Sequence, residues 1–342
     1  MNKPAALSVD VVIPVFNAPE LTKRCIDSVM THLKQSIGTV YVQDDASSDE
    51  TRAMLDDLRY PQVHIYHALE NQGFGKSVND AVARSDADLV FVLNSDTKID
   101  ADFLPALCAV FVTDPELAAI SPGHKNFFRH ELERYLRRPG GYVQTYRFKG
   151  HAFLIRRDIF MALGGFDLQF GRGYFEDLDL SRRLDQQGWR MGVHPDTHID
   201  HQGGGSFGRG QFYRALMKRN RALYLARYPG VCRNVLMISA NNPVMDDLPT
   251  ELSSAIEFVF SQGGSIHWLT PLPLPQLFCL QMRNSRISLL TIFKLMLRGG
   301  ARKDKRISEV WILPDTPGVW RILLALFIRG RKLKMRTWNE AV

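Results

Sequence analysis

From residue 9 onward, short β-branched apolar runs alternate with segments that are apolar on one helical face, and this alternation limits the fold more than any other feature of the chain. VDVVIPVF (9–16) reads as a strand, and Asn17, Ala18 and Pro19 behind it suit a helix start. Leu21, Cys25, Val29 and Leu33 then recur on one face of that helix. VYVQ (40–43), a helix from about Asp49, VHIY (63–66), a helix from about Gly75 and LVFVL (89–93) repeat the pattern. Fully apolar strands separated by amphipathic helices imply a parallel sheet covered on both sides. An α/β domain of this kind binds its ligands in loops beyond the carboxyl ends of the strands.

The chain that follows is less regular. A polar stretch (124–150) precedes a strand HAFLIRR (151–157), a helix over 176–187, the glycine-rich HIDHQGGGSF (198–207) and a basic helix over 211–228. Tyr228, Pro229 and Gly230 suit a boundary, which gives a domain over 1–230 and a small α/β extension over 231–342. In the extension, VLMIS (235–239), SIHWLT (265–270) and VWIL (310–313) read as strands, and 251–262 and 319–329 as helices. That is a unit of Rossmann-like character, or half of one.

Charge is unevenly spread. The whole chain sums to +7, yet residues 283–342 hold 14 Lys and Arg against 4 Asp and Glu, a net +10, which leaves −3 for the first 282 residues. A nucleic-acid binder would be basic across its domain, so nucleic acid is set aside as a partner. The basic excess of the tail suits an anionic membrane surface or a solvated face. The four cysteines, Cys25, Cys108, Cys232 and Cys279, are scattered without CxxC spacing; they read as reduced thiols of a cytoplasmic protein, not as a disulfide framework or zinc site. The first apolar run, broken by Asp10 and Pro14, is a poor signal peptide. The longest late run, 322–328, falls far below the roughly 18 residues of a membrane span, so no transmembrane helix is expected.

Carboxylates and amides cluster where strands end. The first strand runs into Pro14-Val15-Phe16-Asn17, the second into Asp44-Asp45-Ala46-Ser47-Ser48-Asp49, the third leads to Asn71-Gln72-Gly73-Phe74-Gly75-Lys76, and the fourth into Asn94-Ser95-Asp96-Thr97. Farther along stand Glu176-Asp177-Leu178-Asp179 and His201. Any one of these acids alone reads as a helix cap; their joint order does not.

In VVIPVFN, DDASSDET, NQGFGKSVN, VLNSDT, KGHAFLIRR with GGFD, YFEDLDLSRR, HQGGGSF and YRALMKRNRALYLARY the chain resembles the nucleotide-sugar glycosyltransferases of family 2, those with the GT-A fold, and particularly their rhamnosyltransferase-like branch. The resemblance covers about residues 9–228. It implies an inverting, metal-dependent transfer of a sugar from a nucleotide-diphosphate sugar, a dTDP- or UDP-sugar such as dTDP-rhamnose, to a hydroxyl of a glycan or lipid-linked oligosaccharide in cell-surface polysaccharide synthesis. Pro14, Asn17, Asp44, Asp45, Gly73, Gly75, Lys76 and Asn94 would then hold the nucleotide, with Asp44 or Asp45 on the base or ribose and the two glycines permitting close backbone approach. Asp96 and His201 would ligate Mn2+ or Mg2+. The family's usual aspartate-any-aspartate triplet has Asn94 in its first place here, a less negative site. Asp177 would be the base, because the acceptor hydroxyl must lose its proton as it attacks, with Glu176 orienting the acceptor. Tyr174 and Trp189 would flank the acceptor. The basic residues Lys218, Arg219, Arg221 and Arg227 read as a solvated face or as contacts to an acceptor phosphate.

Two other classes compete. A sugar nucleotidyltransferase also binds a nucleotide on a parallel sheet, but it carries a basic glycine-rich loop after its first strand, where this chain has Phe16-Asn17-Ala18-Pro19. A non-catalytic glycan-binding or scaffold protein derived from a transferase is favoured only by Asn94. The extension is expected to be either a half of a two-Rossmann-domain transferase or a module that docks on a membrane or partner.

Overall fold

The computed structural model describes residues 7–124, 132–202, 210–297, 303–314, 316–331 and 333–338. The chain divides into two compact units: Met1–Leu132, Arg137–Val143 and Arg147–Ala222 form the first, and Glu133–Leu136, Gln144–Tyr146 and Leu223–Val342 the second. The division falls before the Tyr228-Pro229-Gly230 punctuation, and the two short early segments of the second unit carry no signal in the sequence. Of the glycine-rich 198–207 stretch, residues 203–207 lie outside the described residues, as do Arg298, Arg302 and Lys332 of the basic tail.

The strands up to residue 201 are β1 (Val9–Val15), β2 (Val40–Asp44), β3 (Val63–His67), β4 (Leu89–Leu93), β5 (Thr97–Lys98), β6 (Leu117–His124), β7 (Val143–Thr145), β8 (Ala152–Arg156) and β9 (Arg190–His201). The helices are α1 (Pro19–His32), α2 (Asp49–Asp56), α3 (Phe74–Arg84), α4 (Leu104–Thr113), α5 (Arg157–Ala162), α6 (Glu176–Gln186) and α7 (Gln211–Arg227). The first unit is built on the strand order β3-β2-β1-β4-β8-β6-β9-β5. β1 to β4 are mutually parallel, β8 runs antiparallel to both β4 and β6, and β6 and β9 are parallel. All of β1 and all of β4 are buried, as strands covered by helices on both faces must be. Two apolar clusters sandwich the sheet, one around Val11, Cys25, Val29 and Leu107, the other around Val12, Val78, Phe153 and Leu180.

Of β9 only the last four residues fall in a segment that the sequence singles out, the glycine-rich 198–207 stretch, and the strand's irregularity explains why the rest carries no strand signal. Its pairing with β6 jumps from Pro122↔His194 to Gly123↔His198, a bulge around Pro195 that breaks the two-residue alternation. A side chain at Gly123 would stand 2.5 Å from the Thr197 carbonyl oxygen, so the bulge depends on that glycine. Beyond it the strand carries His201 to its last position.

The second unit holds β10 (Asn234–Ile238), β11 (Ser265–Thr270), β12 (Met282–Arg286), β13 (Glu309–Ile312) and β14 (Lys334–Thr337), all parallel, in the order β12-β11-β10-β13-β14. α8 (Thr250–Ser261), α9 (Leu289–Leu297) and α10 (Gly318–Arg331) connect them. This is the doubly wound order that reverses at its first strand. Its core joins Leu236, Ile238, Leu269, Val310 and Ile312 of the sheet to Ile292, Leu295 and Leu324 of α9 and α10. The cysteines are all unbridged, and among the described residues no helix is long and apolar enough to cross a membrane.

Candidate active site

The loops at the carboxyl ends of β1, β2 and β4 open onto a cavity lined by Pro14, Phe16, Asp45, Asn71, Asn94 and Arg172, among others. The two adjacent acids after β2 part company here. Asp44 is fully buried and turned away: it accepts from the Ser47 N–H at 3.0 Å and meets His67 Nδ1 at 2.7 Å. Asp45 lines the cavity and accepts from the backbone N–H groups of Gln72 (2.7 Å) and Gly73 (2.8 Å). Burial pushes its carboxyl above the usual range, with those two donors pulling the other way. Asp45 therefore fastens the 71–73 loop at the mouth of the cavity.

The glycines of that loop are explained by the chain itself. Gly73 has φ +94°, and a side chain there would come within 2.8 Å of the Gly171 carbonyl oxygen; a side chain on Gly75 would meet Phe166 at 3.3 Å. Lys76 sits in the first turn of α3 and pairs with Asp80. Asn17 stands outside the cavity lining, with positive φ, and joins two loops: its N–H donates to Ser47 Oγ at 2.8 Å, and its Oδ1 accepts from the Ser48 N–H at 2.9 Å.

A second cavity of about 400 Å³ shares Phe74 and Asn94 with the first and is lined by Asp96, Lys149, His151, Glu176, Asp177 and His201. The two-residue β5 pairs Thr97 with His201 and Lys98 with Asp200, antiparallel, while the Gln202 N–H donates to the Asp96 carbonyl. This ladder brings His201 Nε2 to 3.0 Å from Asp96 Oδ1. The His151 ring stacks on His201, centroids 4.5 Å apart and planes 5° from parallel. The His151 carbonyl also accepts from the Asn94 N–H at 2.8 Å. Asn94 Oδ1 is buried with no hydrogen-bond partner.

Across the same cavity α6 begins with its two acids. Tyr174 and Phe175, both with positive φ (72° and 79°), lead into it. Two consecutive non-glycine residues in that region are strained, and such strain persists only where the surroundings hold it. The holder is Asn220 of α7, wholly buried, whose Nδ2 lies 2.6, 2.8 and 3.1 Å from the carbonyls of Phe170, Gly173 and Tyr174. The Arg219 guanidinium donates to the Gln169 carbonyl and to Asn220 Oδ1, so this member of the basic helix braces the turn. Asp177 Oδ2 accepts from the Gly150 N–H at 3.1 Å, and a side chain on Gly150 would stand 3.0 Å from Asp177 Cβ. Burial raises the Asp177 carboxyl above its usual range, against the opposing pull of Gly150 and the Lys149 ammonium. Glu176 is buried, its Oε2 has no partner, and burial together with Asp177 holds its carboxyl well above the usual range.

The structure thus brings Asp96, His201, Glu176, Asp177, Tyr174 and Asn94 to one cavity, and Pro14, Asp45 and Gly73 to its neighbour. Trp189 lines neither cavity; it is half-buried and packs against the core cluster that includes Leu180 and Met191. Asn71, Lys149, His151, Arg172 and Asn220 were not singled out by the sequence. Among the described residues no group of three or more His, Cys, Asp or Glu side chains could hold a metal. The Asp96–His201 pair with Asn94 beside it nonetheless fits a weakly held divalent cation. Two ligand atoms 3.0 Å apart form the edge of an octahedron with bonds of about 2.1 Å, and such ions take one or two protein carboxylates and leave the rest to phosphate and water.

Residues 10–170 match the model of glycosyl transferase family 2. The chain is 27% identical over 182 residues to a beta-monoglucosyldiacylglycerol synthase of Synechocystis, covering 48% of this chain and 37% of that protein. It is 25% identical over 217 residues to an N-acetylglucosaminyl-diphospho-decaprenol L-rhamnosyltransferase of Mycobacterium tuberculosis, covering 50% and 68%. The chain therefore spans little more than a third of the Synechocystis relative. A mannosyltransferase of Pyrobaculum calidifontis, solved with GDP-Man and Mn2+, superposes with a TM-score of 0.52 at 18% identity, over 66% of this chain and 64% of that one. The mixed, mostly parallel sheet is the GT-A fold.

Proposed function

From the match of residues 10–170 to the glycosyl transferase family 2 model, we propose that the chain transfers a sugar from a nucleotide-diphosphate donor to a hydroxyl of a glycan or lipid-linked acceptor, inverting the anomeric carbon. One observation carries this reading: an acid with a raised carboxyl, Asp177, lines the same cavity as the Asp96–His201 pair. The nucleotide occupies the adjoining cavity, with Asp45 and the loop it fastens over the base or ribose and the Arg172 guanidinium available to phosphate oxygens. Asp44 holds the loop after β2 through the Ser47 N–H and His67, and Lys76 pairs with Asp80 on α3.

Asp177 takes the proton from the attacking hydroxyl. Its raised carboxyl makes it a stronger base than a solvated aspartate, and the Gly150 N–H on Oδ2 fixes the direction of the other lone pairs. Glu176, held protonated by burial and by its neighbour, donates a hydrogen bond to an acceptor oxygen. Asp96 and His201 would hold a divalent cation, Mn2+ suiting the imidazole better than Mg2+. When bound, that ion supplies Lewis-acid stabilisation of charge on the departing diphosphate. Among the described residues no arrangement calls for a covalent intermediate, and a single displacement inverts the centre.

The test is a panel of UDP-, dTDP- and GDP-sugars incubated with the full chain, with Mn2+, Mg2+ or chelator, the product anomer being read by NMR. Transfer or slow donor hydrolysis that needs the cation, with inverted product, supports the proposal. Release of pyrophosphate from a nucleoside triphosphate, or a product that keeps the donor's configuration, would overturn it.

A further inference from the structure

Helices α9 and α10 cover one face of the second unit's sheet with Ile292, Leu295 and Leu324, yet their outward faces are apolar too. Leu289, Leu290, Phe293, Leu297, Val319 and Ile322 are each between 52% and 66% exposed. A surface helix normally turns a polar stripe to water, and a helix apolar all round is normally buried. Contiguous exposed apolar surface marks an interaction site.

The polar residues of these helices decide what covers them. LLTIFKLML and GVWRILLALFIRGR contain no acid, and the exposed charges among their described side chains are Lys294 and Arg329. Lys305 and Arg306, between the two helices in sequence, are exposed as well. A symmetric contact between two copies would set these like charges against each other. An anionic lipid surface accepts both components: apolar side chains enter the acyl boundary while Lys and Arg meet the phosphates. Among the described residues neither helix is long and apolar enough to span a bilayer, which leaves contact with a bilayer surface as the mode open to them.

We propose that the α9–α10 face of the second unit docks the protein on an anionic lipid membrane. The proposal is independent of the catalytic reading, since docking is measured without any substrate.

The experiment is flotation of the full chain with vesicles of phosphatidylcholine plus phosphatidylglycerol, and with phosphatidylcholine alone, at low and high salt. Two variants are compared: Phe293→Ser with Ile322→Ser, and Lys294→Glu with Arg329→Glu. All four side chains are exposed, so the fold is retained, which a thermal melt checks. The expected result is flotation with the anionic vesicles only, weakened by salt and reduced by roughly tenfold or more in each variant. No flotation, or binding equal in both vesicle types and in both variants, would overturn the proposal. So would a stable dimer in size-exclusion light scattering that Phe293→Ser with Ile322→Ser dissolves, because the face would then belong to a second copy.

Discussion

Replacing Asn220 by alanine separates positioning from chemistry, because Asn220 touches the strained turn before α6 and lines neither cavity. Its amide has two hydrogens, shared among three carbonyls at 2.6, 2.8 and 3.1 Å. Two lost hydrogen bonds account for about 1–3 kcal/mol, and the stranded buried carbonyls add to it, so the first unit should lose about 2–4 kcal/mol. The turn loses its brace as well. Tyr174 and Phe175 each store about 1–3 kcal/mol of backbone strain, and relaxation to negative φ would shift the start of α6 and with it Asp177. A displacement of about 1 Å costs on the order of 10²-fold in rate. The assay pairs a thermal melt with steady-state transfer. The expected outcome is a lower melting temperature and a kcat down by about two orders of magnitude, with the donor KM little changed. A variant with parental kcat and parental melting temperature would show that the turn does not depend on Asn220, and the positioning argument would fail.

Other substitutions probe the rest of the site. His151→Ala should raise the Mn2+ concentration needed for half-maximal activity by about 10- to 100-fold, since partners that orient a ligand contribute that much to metal affinity, while His151→Phe, which can still stack on His201, should stay near the parent. Activity requires ionised Asp177, so the rate is lost as pH falls through its raised pKa; Lys149→Met removes the cation that opposes the rise and should move this acid limb to higher pH, with Lys149→Arg restoring it. A pH–rate profile unchanged by Lys149→Met would exclude the coupling. Gly73→Ala forces a side chain onto the Gly171–Arg172 backbone at φ +94° and should cost about 3 kcal/mol or more, seen as a depressed melting temperature with or without donor.

The first four strands and three helices were legible because each is a short, strongly periodic segment with local punctuation. The acids at the strand ends were legible as a cluster for the same reason, while the roles of Asp96, Asp177 and His201, and of Asp44 or Asp45, came from the family resemblance of the motifs that hold them. What stayed hidden depends on contacts between distant segments. The bulge at Pro195 conceals β9, and β12 and β14 are polar edge strands, MRNSR and KMRT, whose sequences lack the apolar run of a central strand. His151 reads as the first residue of a strand, and only its ring contact with His201 gives it a role. Gly73 and Gly75 read as room for a ligand or as a turn before a helix; they also make room for Gly171, Arg172 and Phe166 of the same chain, contacts that sequence spacing does not show. Trp189 reads either as an acceptor-side aromatic or as a packing residue, because its spacing from Asp177 says nothing about direction; half-buried, it packs against the cluster around Leu180. Arg219 reads as a member of a solvated basic face or a phosphate contact, and Asn220 carries no signal in the sequence; together they tie α7 to the turn that presents the acids.

The most direct measurement is the transfer rate of Asp177→Asn at saturating donor and cation, beside the donor affinity of the same variant. Loss of the base should slow transfer by about 10²- to 10⁴-fold and leave donor binding as in the parent. Transfer at the parental rate would contradict the assignment of Asp177 as the group that takes the acceptor's proton.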